Sequence, residues 1–419
     1  MKATEGRVIS AGFVPLVDSA MLVVAREMDF AAREGLDLRL VREASWANIR
    51  DKFAVGHFDV AHMLAPLPIA INLGLGPVNT DVIVPMELGL GSNAVAISLD
   101  LARTLSDIGA IKANDPASAA NSLAQAARAR ARARTGRQRL VFAVVHQFSS
   151  HFYEMAYWMA ASGLAPYRDI DIVVLPPPLM PDALASGQID GFCAGEPWGT
   201  LAVGRGAGMI LTRKANIWRS GPEKVLGVRR DWAEREPDSL AALIRALYRA
   251  AVWCDKPANR PQLASMLAQP HYVGLSVDLL GPVLQRGTGV SSDRGVPDDG
   301  FVFSSGAVTF PWVSHALWFY SQMVRWGQTP ASDDAMMVAR RTYHPDIYRT
   351  ALSPLGVPMP AANAKLEGAL QSQTPVGTAT GRLLLEPDGF FDGRVFDPDH
   401  VAEYINRFAV HTRLSTTVR

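Results

Sequence analysis

Cysteine is scarce: two in 419 residues. Cys193 and Cys254 sit in the apolar settings "GFCAGEPW" and "AVWCD", with neither metal-ligand spacing nor a disulfide framework. Buried free thiols are the expectation, and they suit a reducing compartment. Charge of one sign is also lacking, since 41 Lys and Arg nearly cancel 40 Asp and Glu. No global field points to nucleic acid or to an anionic membrane, so a charged ligand must be read by a local site. No window offers the ~20 uninterrupted apolar residues of a spanning helix. The opening "MKATEGRVISAGFVP" reaches a strand-like run with no apolar leader or lipid-attachment cysteine before it. A cytoplasmic protein is expected, or a periplasmic one if the true start lies upstream.

Catalytic motifs are missing as well. There is no G-x-x-x-x-G-K-[ST] loop, H-E-x-x-H helix, C-x-x-C pair or G-x-S-x-G elbow. The glycines of "ELGLGSN" lack the strand-turn-helix setting of a dinucleotide site. His57 and His62 have no carboxylate at metal-triad spacing and read as structural. The chain is therefore not expected to be an enzyme, nor to hold a cofactor or a metal. The arginines of "RARARAR", Arg128 to Arg134, fan around a helix and form no stripe, which predicts a solvated face.

What is present is an α/β rhythm. "VISAGFV", "SAMLVVAREMDFAAREG", "LDLRLVRE", the segment after Ser45, "FDVAHML" and "DVIVPMEL" alternate strand with helix, and predict a doubly wound, mostly parallel sheet. After the glycine-rich turn the rhythm repeats through "AVAISLD", "RLVFAVV", "DIDIVVL" and "QIDGFCAG". The similarity of "KFAVGHFDVAHM" to "ALASGQIDGFCA" predicts two similarly wound lobes. At 419 residues the chain exceeds a single core. The expected layout is a first lobe over 1–92, a second over 93–194, a return to the first with a helical region over 195–330, and a C-terminal extension strapping the lobes over 331–419. "FPWVSHALWFYSQMVRWG" reads as an aromatic helix packed in the core.

Polar groups at predicted strand ends mark a cleft, where α/β folds bind ligands. Trp46 follows a Ser45 helix cap. His146 and Gln147 follow "LVFAVV", Glu196 follows "QIDGFCAG", and Lys224 opens "KVLGV". A lysine, an imidazole and an indole together make a small, dry pocket for a monovalent anion.

Six blocks carry a resemblance. "GFVPLVDSAMLVVARE", "EGLDL", "SWANIRDKFAVGHFDVAHMLAPLP", "FCAGEPWGTLAV", "PEKVLGVRRDW" and "TFPWVSHALWFYSQMVRWG", running from Val8 to Gly327, resemble the nitrate/bicarbonate-binding protein family. The resemblance implies a two-lobed type II periplasmic-binding-protein fold closing on an oxyanion, with Trp46 against the anion and Lys224 and His146 contacting it. The family's ligand glutamine falls where this chain reads "SNAVAIS", leaving Asn93 or Val95 in its place. The bicarbonate-binding member has an acidic residue at the lysine position and uses calcium, so Lys224 favours nitrate or nitrite. Without a leader, the chain is similar to the family's cytoplasmic sensors, which implies a NasT-like, RNA-binding antiterminator as partner, with no direct nucleic-acid contact and no membrane insertion. The alternatives are the substrate-binding component of an ABC transporter, and an enzyme on the same fold such as a thiamin-precursor synthase.

Overall fold

The computed structural model describes residues 6–91, 93–109, 115–133, 136–285 and 300–408. Arg134 and all but the last residue of the expected loop "VSSDRGVPDDG" lie outside these. So does the end of the expected terminal helix, whose described part is Val401–Asn406. Ten strands build two five-stranded sheets: β1 (Arg7–Phe13), β2 (Leu36–Arg42), β3 (Val60–Leu64), β4 (Val82–Glu87), β5 (Ala94–Ser98), β6 (Leu140–Val144), β7 (Ile170–Val174), β8 (Gly191–Ala194), β9 (Gly208–Arg213) and β10 (Lys224–Arg229).

The sheets have the same plan. The first runs β2-β1-β3-β10-β4 and the second β7-β6-β8-β5-β9. In each, the first three strands are parallel. The fourth, β10 or β5, lies antiparallel to both neighbours. That strand follows the passage of the chain between lobes, so each sheet receives one reversed strand. The two matched sequence segments end in β3 and β8, which hold the same slot beside it.

The second lobe extends beyond the expected boundary at residue 194. "GMILTR" pairs with β5 as β9, and the chain rejoins the first sheet only at Lys224. A run of such short length gives no sign in sequence of which sheet it will join; the pairing partner decides.

The first passage, Leu88 to Asn93, is braced. Gly89 and Gly91 have positive φ, 88° and 101°. A Cβ on Gly91 would lie 2.5 Å from the carbonyl oxygen of Gly300. Leu90 exchanges backbone hydrogen bonds of 2.8 and 3.0 Å with Val302. Glycine is needed here both for the backbone conformation and for the close approach.

Helix Val313–Arg325 is buried along its length, in keeping with its apolar pattern. Trp318 and the stacked pair Trp218 and Phe390, 4.8 Å apart, join this helix, the second passage between lobes and the C-terminal segment. Tyr157 of the second lobe donates to Asp392. His315, on the same helix, sits between Glu87 at 2.8 Å and Glu367 at 3.4 Å. Lys365 pairs with Glu367 and Asp388 at 2.5 and 2.6 Å. Burial alone would lower the imidazole, but the two carboxylates raise it to about 9. Burial would raise the Glu367 carboxyl, but Lys365 and His315 lower it to about 2.

The arginine run is less free than expected. Arg130 lies 2.7 Å from Asp190, which also holds Arg137 at 2.8 Å, and Arg128 donates to the carbonyl of Ser162. Arg130, Arg137 and Asp190 line a groove of about 850 Å³ on the second lobe.

Two outcomes are expected. Phe390→Ala removes the ring that covers Trp218 and should cost about 3–5 kcal/mol in urea unfolding. Because the folded pKa of His315 is raised, its stabilisation is complete below the unfolded value near 6.5 and is lost as pH rises toward about 9. Urea midpoints measured across that window should fall in the native chain and fall less in His315→Gln.

Candidate functional site

Local structure brings the site residues to the cleft. β1 ends at Phe13, and the 3₁₀ turn Val17–Ser19 that follows presents Asp18. Ser45 accepts a hydrogen bond from the Asn48 N–H at 3.2 Å, starting helix Trp46–Ala54 with Trp46 as its first residue. His62 lies in β3, and Lys224 opens β10 opposite Leu64. From the second lobe, Ser149 accepts from the Phe152 N–H at 3.1 Å and starts helix Ser150–Ala161, whose first two residues are Ser150 and His151. Asn93 precedes β5. A backbone hydrogen bond from Val17 to the carbonyl of Glu196, 3.1 Å, holds the lobes together beside this cluster.

The centre is ionic and wholly buried. Lys224 Nζ lies 2.7 Å from Asp18 Oδ2, and His62 Nε2 lies 3.1 Å from Asp18 Oδ1. Trp46 packs over both, its ring 5.8 Å from the ammonium and 5.1 Å from the His62 ring. Burial would raise the Asp18 carboxyl, but Lys224 and His62 hold it well below the usual carboxylate range. Burial lowers His62, against the pull of Asp18. Burial and the nearby ammonium of Lys224 push His151 far below an ordinary histidine. In both imidazoles burial works against the charged form.

Behind this layer lies a second one. Glu223 Oε2 is 3.8 Å from Lys224 Nζ, and Glu223 Oε1 is 4.0 Å from Lys214 Nζ. Glu154, one turn along its helix from Ser150 and His151, is buried. Burial raises both Glu154 and Glu223, Glu154 strongly. Asn93 joins the layers: its N–H donates to Glu223 and its amide to Ser150, each at 3.3 Å.

Several of these polar atoms make no hydrogen bond among the described residues. They include the Trp46 indole N–H, His62 Nδ1, both ring nitrogens of His151, Asn93 Oδ1 and both oxygens of Glu154. Buried polar atoms left without partners are costly, and their concentration in one cleft marks a place built for a ligand. Indole and imidazole N–H groups around an ammonium, away from water, suit a small acceptor-only anion.

Of the residues singled out in the sequence, Trp46, Asn93 and Lys224 belong to this cluster. His146 does not touch it: its Nδ1 accepts from the Phe148 N–H at 3.1 Å. Burial and the Arg50 charge across the cleft lower it to about 4. Gln147 is exposed, and its carbonyl accepts from Gln328 at 3.4 Å. The Glu196 carboxylate caps helix Trp198–Gly204 through the N–H and hydroxyl of Thr200, 3.0 and 2.8 Å, and meets Arg213 at 3.3 Å. Asp18, His151 and the two glutamates did not stand out in the sequence, and His62, read there as structural, lies in the cluster with its Nδ1 unpartnered among the described residues. His62 and His151 had one available signal, a histidine inside an otherwise apolar strand or helix start.

The fold and sequence have known relatives. Residues 2–268 match the NMT1-like family. The nitrate/nitrite binding protein NrtA of Synechococcus elongatus is 31% identical over 412 residues, 96% of this chain and 86% of that protein. The bicarbonate transport ATP-binding protein CmpC of the same species is also 31% identical over 97% of this chain. The chain spans only 56% of that protein's length, and the same share of a nitrate import ATP-binding relative. The crystal structure of the periplasmic nitrate-binding protein NrtA from Synechocystis PCC 6803 superposes with a TM-score of 0.81 at 25% identity, covering 97% of this chain and 99% of that one.

Glu196→Ala separates helix capping from ligand contact. Calorimetric titration of that variant should give an anion affinity within about threefold of the native chain, while its unfolding free energy falls by about 1–3 kcal/mol.

Proposed function

The chain belongs to the NMT1-like family, and from that membership and the cleft we propose that it binds a small monovalent oxyanion, nitrate or nitrite, as the recognition component of an ABC-type importer. The observation that carries this reading is the buried Lys224 ammonium with Trp46, His62 and His151 around it. These groups supply one positive charge and several directional N–H donors. They can hold an anion by differential solvation alone, because its water is replaced by fixed donors in a low-dielectric site.

Nitrate and nitrite are preferred over bicarbonate for one reason. An ammonium at position 224 occupies the neighbourhood where a calcium-assisted site needs oxygen ligands. The transport reading takes precedence over a cytoplasmic sensor paired with an antiterminator, because the relatives named above are transport proteins. On this reading the chain works beside an import system, and it binds its ligand without transforming it.

Isothermal titration with nitrate, nitrite and bicarbonate tests the proposal. Nitrate or nitrite should bind and bicarbonate should not. Trp46→Ala should weaken binding at least tenfold, about 1.4 kcal/mol, and Lys224→Glu should abolish it. Lys224→Met keeps the volume without the charge and should also fail to bind. Bicarbonate binding more tightly than nitrate, or indifference to all three substitutions, would sink the proposal.

A further inference from the structure

The cleft holds more acid than an anion site needs. Three carboxyl groups, Asp18, Glu154 and Glu223, share the buried cluster with two ammonium groups, Lys214 and Lys224. An entering anion adds a further negative charge where uncompensated charge is costly. It must also share Lys224 with Asp18, whose carboxylate lies 2.7 Å from that ammonium. Whatever Lys224 gives to the anion, it withdraws from Asp18.

We propose that His62 takes up a proton as the anion enters, so that the site binds anion and proton together. The inference rests on the anion reading above and deepens it. His62 is placed for the task by its contacts. Its Nε2 already meets Asp18 at 3.1 Å, and its Nδ1 has no hydrogen-bond partner among the described residues. A second N–H there would complete an imidazolium between the carboxylate and the anion. No bond to carbon or nitrogen breaks: a proton from solvent adds to the ring, and the anion supplies the compensating charge.

The other groups facing this histidine fit the role less well. Trp46, from its helix, packs against the ring and does not titrate. Burial and, less strongly, Lys224 from β10 oppose a charge on the imidazole in the free site, and an anion beside Lys224 removes the second opposition. His151, from the second lobe, forms no ion pair with a carboxylate among the described residues. Burial already favours the protonated acids of Glu154 and Glu223. The Cys193 thiol is buried and pushed well up, so it has no proton to accept.

The sign follows from linkage. A group whose pKa is higher in the complex takes up protons on binding, so affinity rises as pH falls. The rise is about tenfold per pH unit between the free and bound values. Proton uptake is read directly by adding sodium nitrate to weakly buffered protein at pH 7 with an indicator dye, alongside calorimetric titration of binding. The native chain should take up about one proton per anion bound. His62→Gln, which keeps a hydrogen-bonding side chain but cannot charge, should bind nitrate more weakly than the native chain, with an affinity that no longer rises as pH falls, and take up no proton. Nitrate binding by the native chain with neither proton uptake nor pH-dependent affinity overturns the inference while leaving the anion reading intact. Uptake that persists in His62→Gln but vanishes in Glu223→Gln or His151→Gln overturns the choice of His62. No nitrate binding by the native chain overturns both readings.

Discussion

The buried contact between Asp18 and Lys224 sets the terms for the rest of the cleft. Two charges taken from water repay their desolvation only when each is held by the other and by further hydrogen bonds. Removing one partner from such a pair costs about 3–5 kcal/mol. Both partners come from the first lobe but from distant parts of the chain: Asp18 follows β1, and Lys224 begins β10. They meet because β10 returns to the first sheet beside β3, antiparallel to it. The sheet order is therefore a condition for the site. A return strand at the sheet's edge would leave the ammonium without the carboxylate or the Trp46 ring.

The passages between the lobes are more constrained than their glycines suggest. The first is pinned to Val302 by backbone hydrogen bonds, and the second carries Trp218 into an aromatic stack with Phe390 of the C-terminal segment. Glu87, at the end of β4, adds a charge contact to His315. Lobe motion in such a protein must be absorbed by the few residues these contacts leave free, as hinge closure generally is. The C-terminal segment therefore bears on the binding site without touching it, by fixing the strands that carry Lys224 and Asn93 into the cleft.

Much of this was legible in the sequence. Periodicity gave the alternating strands and helices, and the match between "KFAVGHFDVAHM" and "ALASGQIDGFCA" anticipated β3 and β8 in equivalent slots. Ser45 was read as the opening of a helix, where local chemistry suffices. The rest depends on contacts between distant residues. Asp18 and His62 are 44 residues apart in sequence and form one unit only after β1 and β3 pair. His146 and His151 are five residues apart, but only the second lies in helix Ser150–Ala161 and feels the Lys224 charge, while the first is tied to the Phe148 N–H ahead of the helix. The arginine run read as solvated because its partner, Asp190, lies on the far side of β6 in sequence.

Charge balance explains why such a cleft suits a monovalent ligand. In the free site burial works against the charged forms of both imidazoles and of Glu154 and Glu223. The Asp18–Lys224 pair sums to zero, and Lys214 is engaged by the carbonyl of Gly221 and by Glu223 at 4.0 Å. The proton proposed for His62 and the unpartnered N–H donors would then meet one negative charge. A dianion would bring a second charge with nothing buried to oppose it, and in a site of low effective dielectric that difference outweighs any gain from extra hydrogen bonds. On the proposed reading, selectivity by charge rests on the burial of these acids as much as on the lysine.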